Sequence, residues 1–521
     1  MTAQESSNAL RRSVVRRLSE ATATLPLSSL RRLQYVSDIA ARSGFRRLVR
    51  FLPTRGSWTK ADQRAVEGVA VALGRLKGVP MKLGQLASYV DSSVPAALRP
   101  AFAALEANAQ ALPYHRIEAA LRSALGDRAS DLLETFESKP VAVASIGQVH
   151  RAQVDGQPVA VKIRYPGIEQ AIRLDFRPAA FGTWATMGVS GEHGELLVRQ
   201  MLQHILAECD YAREAERQNT FAKCFEEHPV IRVPKVYADY SNDAVITMQF
   251  AEGLPLEAFL ATHPSPEARA RASAALLDFY VGSIFLLGTY NSDPHPGNYL
   301  FGLDGRIDFI DHGSGRTFTS DVGSIKTLAR AVLEDDRSSV RAALDTLGIL
   351  AADRRIDERP LMHVLRWLLG PLGSTEPTRM TVPEAEEVQQ LVRCIRDFPG
   401  FAYPGELMFL IRLRIALCAA LAQLGAKMRW RDVLDAHLDG HCFLMPPRFD
   451  VVLVEPGPRP IELLRALRDE LGGAVTEAKA MLDAAPCIVT SNVKKKTAQV
   501  VIDRLQAAGA RMKMRPMPDG G

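Results

Sequence analysis

The stretch "NSDPHPGNYLFGLDGRIDFIDHG", residues 291–313, gathers aspartates, two asparagines and two histidines in one turn-rich segment. Asp293 is followed five residues later by Asn298, and Asp311 lies near the end of the stretch. Mg²⁺ is a hard ion that takes oxygen ligands, usually one or two carboxylates completed by phosphate oxygens and water. Asn298 and Asp311 are of the right type to supply the protein's share. Asp293 is then left to orient or deprotonate an acceptor hydroxyl. The histidines read differently: Pro294 and Pro296 fix a rigid turn around His295, which suits a ring bonded to nearby backbone better than a transition-metal ligand.

A phosphate-transfer site also needs fixed cations and close backbone approach, and two upstream segments offer them. In "VAVK" Lys162 ends a strand-like run, where an ammonium can hold polyphosphate oxygens. Before it, "AVASIGQVH" places small residues at Ala142, Ala144, Ser145 and Gly147, which lets backbone N–H groups approach a phosphate. After it, "ECDYAREAERQN" offers Glu208, Asp210 and Glu214 on a helix, and a helix carboxylate paired with a strand lysine is the arrangement kinases use. The Asp293–Asn298 spacing matches a protein-kinase catalytic loop, and Asp311-His312-Gly313 has the shape of the following metal motif. Asp308, in "IDFIDHG", has no glycine after its phenylalanine, so Asp311 is the chosen metal ligand.

The elements that must position these residues can be read coarsely. Residues 60–125 have helical apolar periodicity broken at Pro80, Pro95, Pro100 and Pro113. Residues 132–165 alternate and carry Asp155-Gly156 between two β-branched runs, a strong hairpin signal. A long helix is expected over 195–228, then two strands, "PKVYADYS" and "AVITMQFAEG", then a helix-rich remainder to about 440. The apolar runs "FYVGSIFLLGTYNS" and "LMFLIRLRIALCAALAQLG" are too short, or carry Arg412 and Arg414, and read as buried core helices rather than membrane spans. Pro446-Pro447 marks a linker, and the tail beyond it reads strand, helix, helix, strand, helix, strand.

Composition bounds the rest. At 521 residues the chain exceeds the size of a single core, so several domains are expected. A net charge of +5 with 24% charged residues gives no argument for nucleic acid as a partner. The charge is concentrated: between residues 11 and 55, arginines stand at 11, 12, 16, 17, 31, 32, 42, 46, 47, 50 and 55, against two acids, Glu20 and Asp38. That basic segment suits an anionic membrane surface or acidic partner, a solvated helix end or tail, or a transit peptide. The six cysteines are scattered without zinc spacing, which fits a reducing cytoplasm.

Taken together, "KLGQ" at 82–85, "AVASIGQVH" with "VAVK", "ECDYAREA" at 208–215 and "SDPHPGN" at 292–298 resemble the UbiB (AarF/ADCK) family of atypical protein-kinase-like proteins, over residues about 75–440. The resemblance implies an α+β, bilobal protein-kinase-like fold with an N-terminal helical extension. It also implies ATP with Mg²⁺ as cofactors, atypical kinase or ATPase activity, and support of quinone lipid biosynthesis at membranes, with a lipid or phenolic small molecule as a partner. Lys82 and Gln85 would belong to a motif that folds over the peptide-substrate position, Glu208 and Asp210 to the acidic motif facing it, and Glu214 would pair with Lys162. Gln148, Met248 and Phe250 join Ala142, Ala144, Ser145, Gly147 and Lys162 as expected cofactor contacts. Asp293, Asn298 and Asp311 occupy the catalytic and metal positions. Two departures are Val143 in a loop that commonly has three alanines, and His312 where the family has phenylalanine.

The tail resembles the C-terminal domain of the bacterial ribosomal stalk protein, through "FDVVL", "RALR", "EAK", "AAP" and "AAGA". The resemblance implies a small α/β (βααβαβ) interaction domain. Arg465, Arg468 and Lys479 stand at basic positions of its factor-binding surface, and Glu462 puts an acid where that family has a small residue. The expected organisation is a basic segment 1–59, a helical extension 60–130, an N-lobe 131–253, a helical C-lobe 254–445 and the stalk-like domain 448–515. The expected location is the cytoplasm, peripheral to the inner face of the membrane.

Overall fold

A computed structural model describes residues 111–175, 202–203, 205–318, 320–347, 358–396, 405–445, 448–471 and 475–516. The basic N-terminal segment and the 82–85 motif, with Lys82 and Gln85, lie outside the described residues.

The N-lobe is built on a four-stranded antiparallel sheet of β1 (Ala142–Val143), β2 (Gly147–Val154), β3 (Gln157–Arg164) and β5 (Val245–Gln249), in the order β1-β2-β3-β5. The β2–β3 hairpin turns at Asp155 (φ 50°) and Gly156 (φ 73°), a pair of left-handed residues whose twist matches the flanking strands. Along β3 the side chains alternate. Val159, Val161 and Ile163 enter a core shared with Ile117 and Leu121 of α1 (Tyr114–Leu125) and Leu132 of α2 (Ala129–Leu133). Residues 112–133, which begin in the expected helical extension, thus help close the N-lobe core.

Gly147 is small for a packing reason. A Cβ there would lie 2.4 Å from the Tyr211 hydroxyl and 2.5 Å from the Ile163 carbonyl oxygen. Gly147→Ala should therefore cost about 1–3 kcal/mol of stability, measured as a lowered denaturation midpoint at unchanged slope.

Two of the expected elements differ. The long helix over 195–228 is interrupted at Glu208–Asp210, and α3 (Tyr211–Cys224) starts afresh with Asp210 as its cap, accepting the Arg213 N–H at 3.2 Å. The run "PKVYADYS" is no strand; it makes a single bridge, Val236 to Met248, and a 3₁₀ turn at Ala238–Tyr240. Pro234 and Ser241, whose hydroxyl donates to the Tyr237 carbonyl at 2.8 Å, favour the turn.

In the C-lobe, α4 (Pro266–Leu277) begins at Ser265, whose hydroxyl accepts the Ala268 N–H, with proline at the first helical position. It continues through a π-turn at Asp278–Gly282 into α5 (Ser283–Leu287). The apolar run therefore belongs to a 22-residue helix, Pro266–Leu287, long and apolar enough to cross a membrane. Of its most apolar window, 72% is buried inside the C-lobe.

The π-turn places Asp278 where four donors converge: His228 Nε2 at 3.1 Å, His437 Nε2 at 2.7 Å, and the N–H groups of Phe443 (2.8 Å) and Leu444 (2.9 Å). Cys442 lies within metal-ligand reach of His228 and Asp278. The hydrogen bonds argue against a metal there. His228 Nδ1 accepts the Val230 and Ile231 N–H groups, so Nε2 carries the proton given to Asp278 and no lone pair remains for an ion. Gly282 lets His437 in, since a Cβ there would lie 3.0 Å from His437 Nε2.

Four short strands complete the lobe: β6 (Thr289–Asn291), β7 (Tyr299–Phe301), β8 (Ile307–Phe309) and β9 (Gly315–Thr317). β6 pairs with β9, while β7 pairs with β8, which also takes β4 (Ile231–Arg232) in parallel. Around them stand α6 (Val322–Leu333), α7 (Arg337–Thr346), α8 (Glu358–Leu369), α9 (Ala385–Arg396), α10 (Gly405–Leu424) and α11 (Trp430–Leu438).

The tail forms the expected βααβαβ domain. β10 (Arg448–Glu455) lies between β11 (Cys487–Lys494) and β12 (Arg511–Pro516), covered by α12 (Pro460–Leu471), α13 (Val475–Asp483) and α14 (Lys495–Ala507). Its core holds Val451, Leu463, Leu467, Ala478, Val501 and Leu505. Arg465, Arg468 and Lys479 are exposed.

Candidate functional site

The loops 292–298 and 310–314 leave adjacent strand ends, because Asn291 is paired with Gly315 and Tyr299 with Phe309. That pairing, and a backbone bond from the Ile310 N–H to the Asn298 carbonyl at 2.9 Å, brings Asp293, Asn298 and Asp311 to one edge of the C-lobe. Asn291 ties the loops together. Buried, it accepts the Asp293 N–H (3.0 Å) and donates through Nδ2 to the Asp311 carbonyl (2.7 Å).

Lys162 reaches this edge from β3. Its Nζ lies 2.6 Å from Glu214 Oε1 and 3.3 Å from Asp311 Oδ2, with the Tyr211 ring 5.1 Å away. Burial alone would pull the ammonium pKa down, but the Asp311 and Glu214 charges outweigh it and hold the group well above its ordinary value. Burial pushes the Glu214 carboxyl up, and Lys162 opposes the shift. Gly313 makes room for this group, since a Cβ there would lie 3.2 Å from Glu214 Oε2 and 3.4 Å from Asp311 Oδ1.

The donor set suits a hard cation. Asn298 Nδ2 donates to the Asp293 carbonyl (2.9 Å) and to its Oδ2 (3.2 Å), which leaves the Asn298 side-chain oxygen as the atom to meet an ion. Asp311 brings a carboxylate whose Oδ1 accepts the Gly313 N–H at 3.0 Å. Asp308 is engaged elsewhere: it is buried and receives Arg232 through Nε and Nη2.

His312 fills the place of the family's phenylalanine. Its ring packs against Phe221 (5.4 Å) and Phe279 (5.8 Å), and its Nε2 donates to the Phe309 carbonyl at 3.1 Å. Burial lowers its pKa to about 4, so the ring is neutral and behaves as an aromatic packing group. His295 bonds local backbone, its Nδ1 accepting the Gly297 N–H at 3.0 Å.

Other expected cofactor contacts are placed differently. Gln148 is fully buried in the N-lobe, accepting the Leu112 N–H at 2.8 Å and meeting His150 Nε2 at 2.8 Å, so its amide is committed to packing rather than to a ligand. The Ala144 N–H closes its own turn onto the Gly147 carbonyl. Ala142 is exposed and Ser145 buried. Met248 is buried, its sulfur accepting from Gln218 Nε2 at 3.6 Å, and Phe250, just past β5, carries the Arg151 guanidinium at 4.8 Å. Glu208 is buried and accepts the Ser314 hydroxyl at 3.2 Å, tying the acidic motif to the loop 310–314 that carries Asp311.

Two residues escaped the sequence reading: Asn291, and Arg412 of α10. Arg412 is buried and donates through Nη2 to Asp293 Oδ1 at 2.8 Å. The available signal was a charge inside an apolar helix, which must find a partner when buried.

The ABC1 atypical kinase-like domain family matches residues 104–344, and the ribosomal protein L7/L12 C-terminal domain family matches residues 449–515. The atypical kinase COQ8, mitochondrial, of Saccharomyces cerevisiae is 27% identical over 63% of this chain and 68% of its own length. The atypical kinase COQ8B, mitochondrial, of Rattus norvegicus is 29% identical over 56% of this chain and 55% of its own. The chloroplastic protein ACTIVITY OF BC1 COMPLEX KINASE 7 of Arabidopsis thaliana is 27% identical over 64% and 48%. The matched region thus spans only about half of the latter two relatives. Among solved structures, the complex of Rv3197 with erythromycin from Mycobacterium tuberculosis aligns with a TM-score of 0.50 and 28% identity, over 74% of this chain and 97% of that one. The chain therefore joins an atypical kinase-like domain of the UbiB (ABC1) family to a C-terminal domain of the ribosomal L7/L12 type.

Proposed function

We propose that this protein is an ATP-dependent atypical kinase or ATPase that supports quinone or other isoprenoid lipid metabolism. The observation that carries the reading is the convergence of Lys162, Glu214 and Asp311 beside the loop bearing Asp293 and Asn298. A fixed ammonium, oriented by a buried carboxylate and facing a second one, is what a polyphosphate and its cation require. Asn298 and Asp311 would hold Mg²⁺, and Lys162 would hold phosphate oxygens of ATP. When bound, the ion would neutralise charge developing on the transferred group. Asp293 orients the acceptor hydroxyl, and Glu214 keeps Lys162 in place. The quinone pathway is what the resemblance to the UbiB family implies, and a lipid or phenolic molecule is the proposed acceptor or effector. Membrane contact is assigned to the basic N-terminal segment, with the rest of the protein at the cytoplasmic face. The exposed Arg465, Arg468 and Lys479 of the C-terminal domain are assigned to a protein partner.

The test is ADP release by the purified protein, with and without anionic liposomes and a phenolic quinone precursor. We expect release that depends on Mg²⁺ and falls at least about 100-fold in Asp293→Asn. A second reading, a non-catalytic ATP-binding scaffold, draws on the Arg412 contact, because that guanidinium holds an oxygen an incoming hydroxyl would need. ATP binding without ADP release under any of these conditions would favour the scaffold.

A further inference from the structure

A large apolar cavity of the C-lobe lies away from the phosphate loops. The helices α4 to α8 and α10 line a partly open cavity of about 610 Å³, bounded among others by Leu277, Ala329, Leu344, Leu365, Leu413 and Leu417. Both apolar runs singled out in the sequence supply its wall. Its size falls in the range of small-molecule sites. A wall of this kind offers water few hydrogen-bond partners. Among the described residues the wall contains one charged side chain, Arg414.

Arg414 is poorly satisfied for a cation whose side chain is only 13% exposed. Its guanidinium stacks on the Trp367 ring at 3.7 Å, stands 3.9 Å from Glu387, beyond hydrogen-bond reach, and hydrogen-bonds the Cys418 sulfur. Nε and Nη1 are buried and find no hydrogen-bond partner among the described residues. Gly370 admits the group, since a Cβ there would lie 2.6 Å from Nη2. A largely buried guanidinium with donors unmet on Nε and Nη1, at the edge of an apolar cavity, is complementary to one chemistry: a long hydrocarbon body ending in a hydrogen-bond acceptor.

We propose that this cavity is a binding site for a single long aliphatic chain, acyl or prenyl, whose accepting head group meets Arg414. The site is separate from the one assigned to nucleotide and does not depend on the protein having kinase or ATPase activity.

The test uses the full chain and cis-parinaric acid, a polyene fatty acid that fluoresces on leaving water. Saturable binding at one probe per chain is expected, undiminished by ATP with Mg²⁺. Displacement by palmitate, by farnesol, or by both supports the site and tells acyl from prenyl preference. Ala329→Phe and Leu365→Trp, which fill the cavity from α6 and α8, should weaken binding at least about tenfold while leaving the melting temperature unchanged or raised. Arg414→Leu should weaken the acid by about tenfold and spare its methyl ester more, since a charge-assisted bond is lost. A diazirine-labelled fatty acid cross-linked to the wild-type chain should mark α6, α8 or α10, which keeps the test decisive if the variants misfold. Unaltered affinity in both filled variants, displacement by ATP, absence of saturable binding, or cross-links confined to other elements would each overturn the proposal.

Discussion

Lys162→Met is expected to lower nucleotide turnover by about 100- to 1000-fold, the loss typical of removing one preorganised donor from a transition state. The same change should destabilise the fold, because it strands Glu214, which is 1% exposed, without its counter-ion. Breaking a buried pair by removing one partner costs about 3–5 kcal/mol. Protonation of Glu214 offers a partial escape, since burial already raises its pKa. The double variant Lys162→Met/Glu214→Gln should therefore recover most of the stability of the parent and none of its turnover. Denaturation midpoints and ADP release measured on the parent, Lys162→Met, Glu214→Gln and the double variant separate the two effects. Turnover that returned with stability would show that Lys162 only holds the fold. Asp311→Asn adds an independent check, because it should abolish the Mg²⁺-dependent thermal stabilisation by ATP while leaving the Glu214 partner in place.

Asp278→Ala should be the most damaging single change in the C-lobe outside the candidate site. It leaves two histidine donors and two backbone N–H groups without an acceptor in a fully buried position. The expected loss is about 3–5 kcal/mol, on the order of 10 °C in melting temperature. Burial alone would raise the Asp278 pKa, but the hydrogen bonds from His228 and His437 reverse this and hold it at about 2, against an ordinary value of 3.8. A carboxylate with a depressed folded pKa contributes stability that is complete above about pH 4 and lost as pH falls toward 2. The destabilisation caused by Asp278→Ala should accordingly be largest near neutral pH and shrink on acidification. Chemical denaturation of parent and variant at pH 7 and pH 3 measures this, and a gap that stays constant would contradict the assignment.

Local patterns carried much of the architecture. The β2–β3 hairpin was readable because Asp155-Gly156 supplies two left-handed residues between alternating runs, and every interaction that decides it lies within about a dozen residues. The tail domain was readable for a similar reason, as each of its elements has its own period and the turns between them are short. The break at Glu208–Asp210 was missed because Asp210 acts as a helix cap, which competes with helix continuation and leaves apolar periodicity unchanged. "PKVYADYS" misled in the opposite sense, its β-branched and aromatic residues serving a turn that packs beside β5.

The candidate site divides along the same line. The spacing of Asp293, Asn298 and Asp311, the choice of Asp311 over Asp308, and the types of Lys162 and Glu214 all stand in the chain as short motifs, since loop length and residue chemistry are local properties. Which groups meet was a tertiary matter. Lys162 and Asp311 are 149 residues apart, Arg412 and Asp293 are 119 apart, and His437 and Asp278 are 159 apart. No periodicity reaches across such separations; what selects these partners is that burying a charge is tolerable only where an opposite charge or donor is buried with it. The same requirement turned Gln148 inward to Leu112 and His150, made His312 a neutral packing ring, and left Arg414 at the edge of an apolar cavity with donors still to satisfy.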